Sequence, residues 1–531
     1  MRSRPTTATL LTAAAAAAVT LYVIAAPLFA VRYPPITDLP FHAAHTSTLR
    51  HYFDPAWHFR EQFTLQPLAV PYLSMYALGA LLMLFLPMLT AVKLAAATML
   101  ALLPAGLAVL FHGMKKSPLL ALTALPLCWC NLTHWGFFNF VGALGLFAMV
   151  VGLTMMVVER PTRRRQLGLA LALVALFFTH IFRFPFALCA VIGTALVMAP
   201  ATRRVAPVLL PLLPSAALFA VWSKLRSDAL AVDLGPLTIH GERLDELRSL
   251  LFGGLTDPAE EAAVRSALRV VLAVAAVSVM ARALDSRAAP ATRRHLYWHV
   301  GAAVAVAACA IVFLGLFLTL PMQLGAWWYV YPREATATAF IALGILPDLP
   351  RSRWLRVPLG ALLAVGGLKM GAVVVKNYQA FAPAAEELHA ITRNIPPAPK
   401  LLYLVFEHGG STRTTTPFIH LPAYVQAERG GWLSFHFAMW KASPVLYRAP
   451  DEPGAVVPPP VPLRWEWTPH LFRVRSHGPF FDWFLVRRTA SPDAMFREDP
   501  TIVRVDHVGS WWLYRRMGRP DDAQSDIVGD R

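Results

Sequence analysis

The sequence predicts a polytopic α-helical membrane protein that ends in an extracytoplasmic α/β domain, and three observations lead to this fold class. Hydrophobic residues make up 56% of the 531-residue chain, and its mean hydropathy is +0.50. About 11–12 hydrophobic segments approach the length of about 20 apolar residues that crosses a bilayer. After residue 376 the chain becomes richer in charge, proline and tryptophan, and no later window is apolar enough to span.

The hydrophobic segments alternate with short polar or basic stretches, as expected for successive membrane crossings. They cover residues 9–31, 67–87, 89–112, 118–133, 137–158, 166–180, 182–199, 205–223, 264–283, 297–319, 335–349 and 356–376. The first segment is longer than the apolar region of a signal peptide, which predicts a retained anchor helix.

The net charge of +17 is concentrated in short clusters between these segments. The clusters are Arg2 with Arg4, Arg160 with residues 163–165, and residues 203–204, 282–294 and 351–356. Such clusters mark the cytoplasmic side of a membrane protein, so the charge indicates the lipid bilayer as partner and argues against nucleic acid. The N-terminus is then cytoplasmic, whereas loops 224–263 and 320–334 and everything after residue 377 are periplasmic or extracellular. We therefore expect a multi-pass protein of the bacterial inner (cytoplasmic) membrane.

The first part of the chain does not fit a simple series of crossings. An even number of crossings would place both termini on one side, contrary to the charge pattern. We expect one segment between residues 67 and 158 to be re-entrant or interfacial, either 67–87, which contains Pro71, or the short 118–133. Non-helical backbone at membrane depth must face protein or water, so this segment would line a cavity.

The predicted domains are a transmembrane module, residues 1–376, with a first outer loop at 32–66, and a soluble α/β domain, residues 377–531. In the second domain, apolar residues recur at helical spacing over residues 378–394 and predict an amphipathic helix. Apolar and aromatic runs at 401–406, 483–486 and 511–514 predict buried strands.

The most informative polar residues follow the first segment, in the run Ile36-Thr37-Asp38-Leu39-Pro40-Phe41-His42-Ala43-Ala44-His45. Asp38 precedes Pro40 and a helical pattern, so one interpretation is a helix N-cap. The other is a general base that takes a proton from a hydroxyl or amine acceptor at the mouth of a membrane cavity. His42 and His45 share a helix face with Asp38, and they either pack, bind a phosphate or sugar, or hold a divalent metal. The sequence fixes no cofactor and leaves a divalent metal open.

Three further groups lie near predicted membrane exits, where ionisable residues indicate a site. His180 and Arg183 stand between two segments, where Arg183 either binds a phosphate or extends to the interface. Arg333 and Glu334 follow an aromatic cluster that includes Trp328 and Tyr331 and forms either an interfacial belt or a sugar-stacking wall. An Arg333–Glu334 salt link is the structural alternative. The polar residues of the segment 131–139 are expected to line a cavity, namely Asn131, His134, Trp135 and Asn139.

The chain resembles the GT-C superfamily of membrane glycosyltransferases, and is similar in layout to the protein O-mannosyltransferases and the aminoarabinose transferase. The resemblance covers most of the chain as architecture, and at residue level it depends on Asp38 in "PPITDLPFHAAH", "NLTHWGFFNF", "FFTHIFRFPF" and "WWYVYPRE". It implies an inverting transferase that moves a sugar from a polyprenyl-phosphate donor to an extracytoplasmic acceptor. It also implies that Asp38 is the base and that Arg333 is the main phosphate ligand. The second acid that many relatives place in the first loop has no clear counterpart other than Asp54.

Two alternatives remain at the level of the sequence: a transporter or lipid flippase, and a catalytically inactive GT-C-like assembly factor. Transporters commonly contain internal repeats and broken helices at the midplane. The sequence contains no evident repeat, and the ionisable residues of the candidate site cluster at the predicted outer face. The nucleotide-binding GxxxxGK[ST] and the hydrolase GxSxG and HExxH signatures are absent from the sequence, which fits a donor that is already activated.

Overall fold

The computed structural model describes residues 7–66, 72–225, 238–284, 292–325, 327–440, 443–459 and 464–518. Nineteen α-helices occur in these ranges. They are α1 Thr7–Phe29, α2 Leu39–His51, α3 Phe59–Gln62, α4 Leu73–Leu82, α5 Met88–Gly113, α6 Asn131–Trp135, α7 Phe138–Glu159, α8 Arg163–Thr179, α9 Phe184–Val197, α10 Ala199–Thr202, α11 Leu209–Leu225, α12 Leu247–Leu251, α13 Pro258–Ala283, α14 Arg293–Thr319, α15 Val330–Ala342, α16 Arg353–Thr392, α17 Ala423–Arg429, α18 Arg464–Trp467 and α19 Val474–His477.

The described ranges also contain nine strands and several turns of 3₁₀-helix. The strands are β1 Phe63–Leu65, β2 Gln323–Leu324, β3 Trp327–Trp328, β4 Lys400–Val405, β5 Trp432–Leu433, β6 Val445–Tyr447, β7 Trp483–Arg487, β8 Ile502–Val508 and β9 Trp511–Arg516. The 3₁₀-helices are Pro55–Trp57, Pro118–Ala124, Pro126–Trp129, Ile181–Arg183, Ala206–Val208, Gly241–Glu246, Leu343–Ile345, Phe437–Met439, Pro469–Leu471 and Asp493–Phe496.

The predicted fold class is confirmed. Seven helices in the described part of the chain are long and apolar enough to cross a membrane. They are Thr7–Phe29, Met88–Gly113, Phe138–Glu159, Ala206–Leu225, Pro258–Ala283, Arg293–Thr319 and Arg353–Thr392. Three shorter apolar helical stretches accompany them, Leu73–Leu82, Pro118–Trp129 and Ile181–Val197. The predicted strands correspond to β4, β7 and β9.

The segment 118–133 does not form a membrane-length helix. It folds as two 3₁₀-helices followed by the short α6. Pro126 lies inside the stretch and lacks a backbone N–H, which interrupts a ladder of α-helical hydrogen bonds, whereas Pro118 only begins the first 3₁₀-helix. The predicted helix over 378–394 is instead the end of α16, because the residues Asn377–Ala380 contain no signal that stops a helix.

The chain divides into two units. The first comprises Met1–Ala30, Pro67–Met75 and Lys93–Asn377. Within it α14 packs against α15, α7 packs against α8, and the Trp129 indole donates to the Val23 carbonyl at 2.9 Å. The close packing of α5 on α7 depends on glycines, which is common between membrane helices.

The second unit comprises Val31–Gln66, Tyr76–Val92 and Tyr378–Arg531. Its five-stranded sheet has the order β5-β4-β7-β9-β8; β4 pairs in parallel with β5 and β7, and the other pairs are antiparallel. One sheet face buries Leu402, Phe484, Trp512 and Tyr514 with Phe472 in a single core.

The first outer loop belongs to this second unit. Strand β1 pairs antiparallel with β6, and the Ser47 hydroxyl donates to the Ala427 carbonyl at 2.7 Å. The Gln62 amide donates to the Gly431 carbonyl at 2.8 Å. These contacts hold the later part of α2 and the residues that follow it against residues of the C-terminal region.

Candidate active site

Asp38 occupies the N-cap position of α2, yet its side chain does not cap the helix. Its Oδ1 instead lies 2.9 Å from Nδ1 of His420. The other ring nitrogen of His420, Nε2, lies 3.1 Å from Oε1 of Glu466, and the Tyr403 hydroxyl donates to the same oxygen at 3.2 Å. Both side chains of the His420–Glu466 pair are more than nine-tenths buried, whereas Asp38 retains 14% exposure. The result is a chain of polar groups that ends at a partly accessible carboxylate.

The two carboxylates determine the charge of His420. Burial by itself lowers the pKa of the imidazole, but the charges of Glu466 and Asp38 and their hydrogen bonds more than offset this and raise it to about 9. Burial raises the pKa of the Glu466 carboxyl, against the opposing effect of His420. His420 is therefore an imidazolium at neutral pH.

His42 and His45 lie about one and two turns further along α2, and both are buried. The Nδ1 atom of His42 lies 2.9 Å from the Tyr76 hydroxyl. Both ring nitrogens of His45 contact protein groups, Nδ1 the Phe41 carbonyl at 3.2 Å and Nε2 the Ser443 hydroxyl at 2.7 Å. Burial and the neighbouring His42 lower the pKa of His45 to about 3. In this conformation His45 is a neutral packing residue, stacked on His436 at 4.4 Å between ring centroids.

His420, Glu466 and Tyr403 were not identified from the sequence. Asp38 and His420 are 382 positions apart, and no local spacing or motif connects them. The only hint is composition, since Glu466 is an acidic residue in the aromatic run Trp465-Glu466-Trp467.

In the first unit, Arg183 and Glu334 form an ion pair whose side chains are both fully buried. The guanidinium of Arg183 lies within 4.9 Å of the Phe140 ring centre and 4.7 Å of that of Phe313. Arg183 therefore does not extend to an interface. It stays inside because Glu334 offsets its charge and the aromatic faces offset part of its lost hydration.

A small pocket adjoins this pair and is lined by His180, Phe182, Trp327, Val330, Arg333 and Glu334. Arg333 donates to the Trp328 carbonyl at 2.9 Å, and its guanidinium lies 4.3 Å from the centre of the Phe137 ring. Several buried polar atoms have no hydrogen-bond partner among the described residues: Nε and Nη1 of Arg183, Nδ1 of His180 and Oε2 of Glu334. Buried polar atoms are nearly always paired, so these suit a polar ligand.

The segment 131–139 and the segment 328–331 contact each other in this unit. Asn131 donates to the Tyr329 hydroxyl at 3.0 Å, and the Trp135 and Trp328 rings pack edge to face at 5.1 Å. Trp328 is 42% exposed, so it is available to a ligand. His134 is buried next to the backbone of Gly254, and Asn139 is also buried. Tyr331 turns elsewhere: it donates to Glu246 at 2.8 Å beneath the guanidinium of Arg243.

No protein-family model matches the chain, and neither does any curated protein sequence. Two solved structures are similar over nearly its whole length: ArnT from Cupriavidus metallidurans bound to undecaprenyl phosphate, and the same protein in the apo state. The first has a TM-score of 0.51 and the second a TM-score of 0.50, each at 13% identity. Each match covers 96% of this chain and 98% of the ArnT chain.

The chain has the ArnT fold. The predicted resemblance to the GT-C superfamily is thereby confirmed as a resemblance of fold. A shared fold does not establish the chemistry, which has to be argued from the residues of the site.

The ArnT fold does not itself identify a metal centre in this chain. Among the residues described by the structure, no group of three or more His, Cys, Asp and Glu side chains is arranged to hold a metal ion.

Proposed function

We propose that the protein is a membrane glycosyltransferase that moves a sugar from a polyprenyl-phosphate donor to an extracytoplasmic acceptor. The proposed setting is the inner membrane, with the N-terminus in the cytoplasm and the C-terminal domain outside. The ArnT fold supports a transferase of this class, and undecaprenyl phosphate is the ligand of the ArnT structure. The observation on which the proposal chiefly depends is the position of Asp38.

Asp38 is suited to act as the general base. At an ordinary N-cap its carboxylate would accept hydrogen bonds from the first turn of α2, but it makes none of them. One oxygen is held by His420 and the side chain remains 14% exposed, so a carboxylate oxygen is available to an acceptor. A base must reach the proton that it removes, and partial exposure provides that access.

The first unit supplies groups suited to a phosphate. Arg333 lines the pocket beside the Arg183–Glu334 pair, so we assign it as the main charge partner of the lipid phosphate. The unpaired Nε and Nη1 of Arg183 and Nδ1 of His180 would add hydrogen bonds. We assign the exposed Trp328 to contact with the sugar, because exposed aromatic faces stack on sugar rings, and the buried Trp135 to its support through their edge-to-face contact. Asn131, His134 and Asn139 would shape this region, whereas Tyr331 faces Glu246.

In the proposed reaction the acceptor oxygen or nitrogen loses its proton to Asp38 as it bonds to the anomeric carbon. The bond from that carbon to the phosphate oxygen breaks in the same displacement, with inversion, and the lipid phosphate leaves with the electron pair. Cationic donors around the phosphate stabilise the charge that develops there.

The first test is a mass-spectrometric analysis of lipid-linked sugars in wild type, a deletion strain, and the deletion strain complemented with Asp38→Asn. Asp257→Asn is the matched control, because Asp257 is a true N-cap that accepts from the Ala259 N–H at 2.9 Å, and asparagine caps equally well. We expect one polyprenyl-phosphate sugar to accumulate in the deletion and with Asp38→Asn, but not with Asp257→Asn.

Other outcomes separate the alternatives. If Asp38→Asn behaves like wild type at equal protein level, the base assignment is wrong. If no lipid-linked sugar changes even in the deletion strain, a transporter or an inactive assembly factor explains the protein better.

A further inference from the structure

His420 lies between two carboxylates, at 2.9 Å from Asp38 and 3.1 Å from Glu466. An ionised carboxylate can only accept hydrogen bonds, and an imidazole donates from both nitrogens only when it is protonated. The two contacts are therefore satisfied together by an imidazolium, in agreement with its pKa of about 9.

The protein holds this imidazolium in a buried aromatic setting. The ring centre of Phe41 lies 4.7 Å from that of His420, and those of Phe437 and Phe435 lie at 5.3 and 6.3 Å. Electrostatic interactions are stronger in such a setting than in water. The other titratable groups that face it are Tyr403, which donates to Glu466, and His408, whose pKa is lowered by its own burial and to a smaller extent by the charge of His420.

The position of Asp38 depends on this contact. Its Oδ1 accepts from His420, whereas no described residue donates a hydrogen bond to Oδ2. The helical backbone of Asp38 and the missing N–H of Pro40 disfavour the alternative in which the carboxylate caps the first turn of α2, so His420 is the partner that orients it.

We infer that His420 is a positioning residue for Asp38 and that Glu466 positions and charges His420, so that Oδ2 of Asp38 faces the acceptor. This inference rests on the proposed function, because His420 and Glu466 have this role only if Asp38 is the general base. Glu466 also matters electrostatically: with it the three groups retain a net negative charge, so the imidazolium orients Asp38 without cancelling the charge of the site.

The proton balance of the transfer step assigns no proton to His420. The acceptor proton goes to Oδ2 of Asp38 while the new glycosidic bond forms and the bond to the lipid phosphate oxygen breaks. His420 keeps both of its protons throughout. Its contribution is geometric and electrostatic, which is why it should be detected through pH dependence.

The direction of that dependence follows from the raised pKa. The pKa of His420 lies above its ordinary value of 6.5, so the positioning contact is complete below about pH 6.5 and is lost as the pH rises through about 9. Glu466→Gln keeps an oxygen that accepts from Nε2 but removes the charge. The pKa of His420 then falls, and the contact is lost at a lower pH.

The test uses membranes from the deletion strain complemented with the full chain or one of its variants. These membranes also contain the native acceptor. The probe is the polyprenyl-phosphate sugar extracted from the deletion strain, and its consumption is followed by mass spectrometry from pH 6 to 10. We expect wild-type turnover to fall with a midpoint near pH 9. In Glu466→Gln the midpoint should move down by about one pH unit, with about a 3-fold lower rate at pH 8.5 and an unchanged KM for the donor.

Two further variants are measured beside Glu466→Gln, one at His420 and one as a control. His420→Gln should be slow at every pH and should lose the alkaline limb, because no titrating imidazole remains. Glu452→Gln is the control, since this carboxylate of the same unit pairs with Arg448 at 2.9 Å and remains 41% exposed; it should retain the wild-type profile.

The failures are distinguishable. If Glu466→Gln and His420→Gln keep the wild-type rate and midpoint while Asp38→Asn is inactive, the positioning role is wrong and the transferase proposal stands. If no donor accumulates in the deletion strain, or Asp38→Asn consumes it normally, the proposed function itself is wrong. Should His420→Gln give no monodisperse protein in size-exclusion chromatography, the near-isosteric Glu466→Gln decides.

Discussion

Arg183 is a fully buried cation whose single ionic partner among the described residues is Glu334. Removing one member of such a pair leaves the other charge buried without compensation, which costs about 3–5 kcal/mol. Replacing both members with apolar residues of similar volume is often neutral. The pair therefore offers a way to separate folding from ligand binding at this site.

We expect Arg183→Met to lower the free energy of unfolding by about 3–5 kcal/mol and the double variant Arg183→Met with Glu334→Leu to recover most of that loss. Thermal unfolding of the purified protein, followed by tryptophan fluorescence, measures both. The recovered double variant should still fail to use the donor lipid, because the unpaired Nε and Nη1 atoms of Arg183 are gone. A double variant with wild-type turnover would remove Arg183 from the proposed phosphate site.

The sequence predicted Asp38, Arg183 and Arg333 as site residues because charged side chains near membrane exits are costly to keep without a function. The same reasoning could not supply their partners. Glu334 follows Arg333 in the chain and suggested a local salt link, yet it pairs with Arg183 at a separation of 151 positions. Partner choice of this kind is fixed by packing, which leaves no local pattern in the sequence.

At the scale of elements, α5 and α7 pack through two glycine contacts. A Cβ on Gly145 would overlap the carbonyl of Leu102, and one on Gly106 would overlap the carbonyl of Gly145. One heptad further along, a Cβ on Gly152 would lie 2.6 Å from the carbonyl oxygen of Val109. Both contacts involve backbone atoms, which cannot rotate away as a side chain can.

We expect Gly145→Ala to destabilise the first unit by about 1–3 kcal/mol, because the two helices must separate to admit the methyl group. The yield of monodisperse protein and its thermal midpoint measure the effect. Gly315→Ala is the matched control: Gly315 lies in α14 and a Cβ there would contact nothing within 4 Å. Equal behaviour of the two alanine variants would mean that α5 and α7 are not in close contact.

Elements with a strong local signal were predictable from the sequence. The runs Leu401–Phe406 and Trp511–Tyr514 are apolar and aromatic on both faces, as central strands are, and they form β4 and β9. The segment 118–133 was ambiguous because its composition suits a membrane helix whereas Pro126 inside it does not, and the segment folds as two 3₁₀-helices. The end of α16 was predicted as helix but not as a continuation of the apolar segment 356–376, although residues 377–380 contain no signal that stops a helix.

At the scale of the whole molecule, distant stretches of chain build each site. Asp38 from the first outer loop meets His420 and Glu466 from the C-terminal region, and β1 pairs with β6 in the same unit. Contacts over such separations have no signature in a single sequence, which explains why the candidate base was predicted and its supporting groups were not. Glu466 also supplies a second carboxylate, which the sequence offered only as Asp54, a residue that caps a 3₁₀-helix through the Ala56 N–H.

A lipid phosphate should stabilise the whole protein if the phosphate groups of the first unit are assigned correctly. A ligand that binds only the folded state adds about 2.7 kcal/mol at 100 times its Kd, which raises the thermal midpoint. We expect undecaprenyl phosphate to raise the Tm of the purified wild-type chain by several degrees and undecaprenol, which lacks the phosphate, to leave it unchanged. Arg333→Gln should unfold at the wild-type temperature without lipid but lose most of the shift, because Arg333 lines the pocket and its guanidinium would pair with the phosphate. Arg475→Gln, at an arginine of the second unit that is 74% exposed, should keep the full shift. An equal shift with undecaprenol would mean that the tail alone binds, and an equal shift in Arg333→Gln would assign the phosphate to other residues.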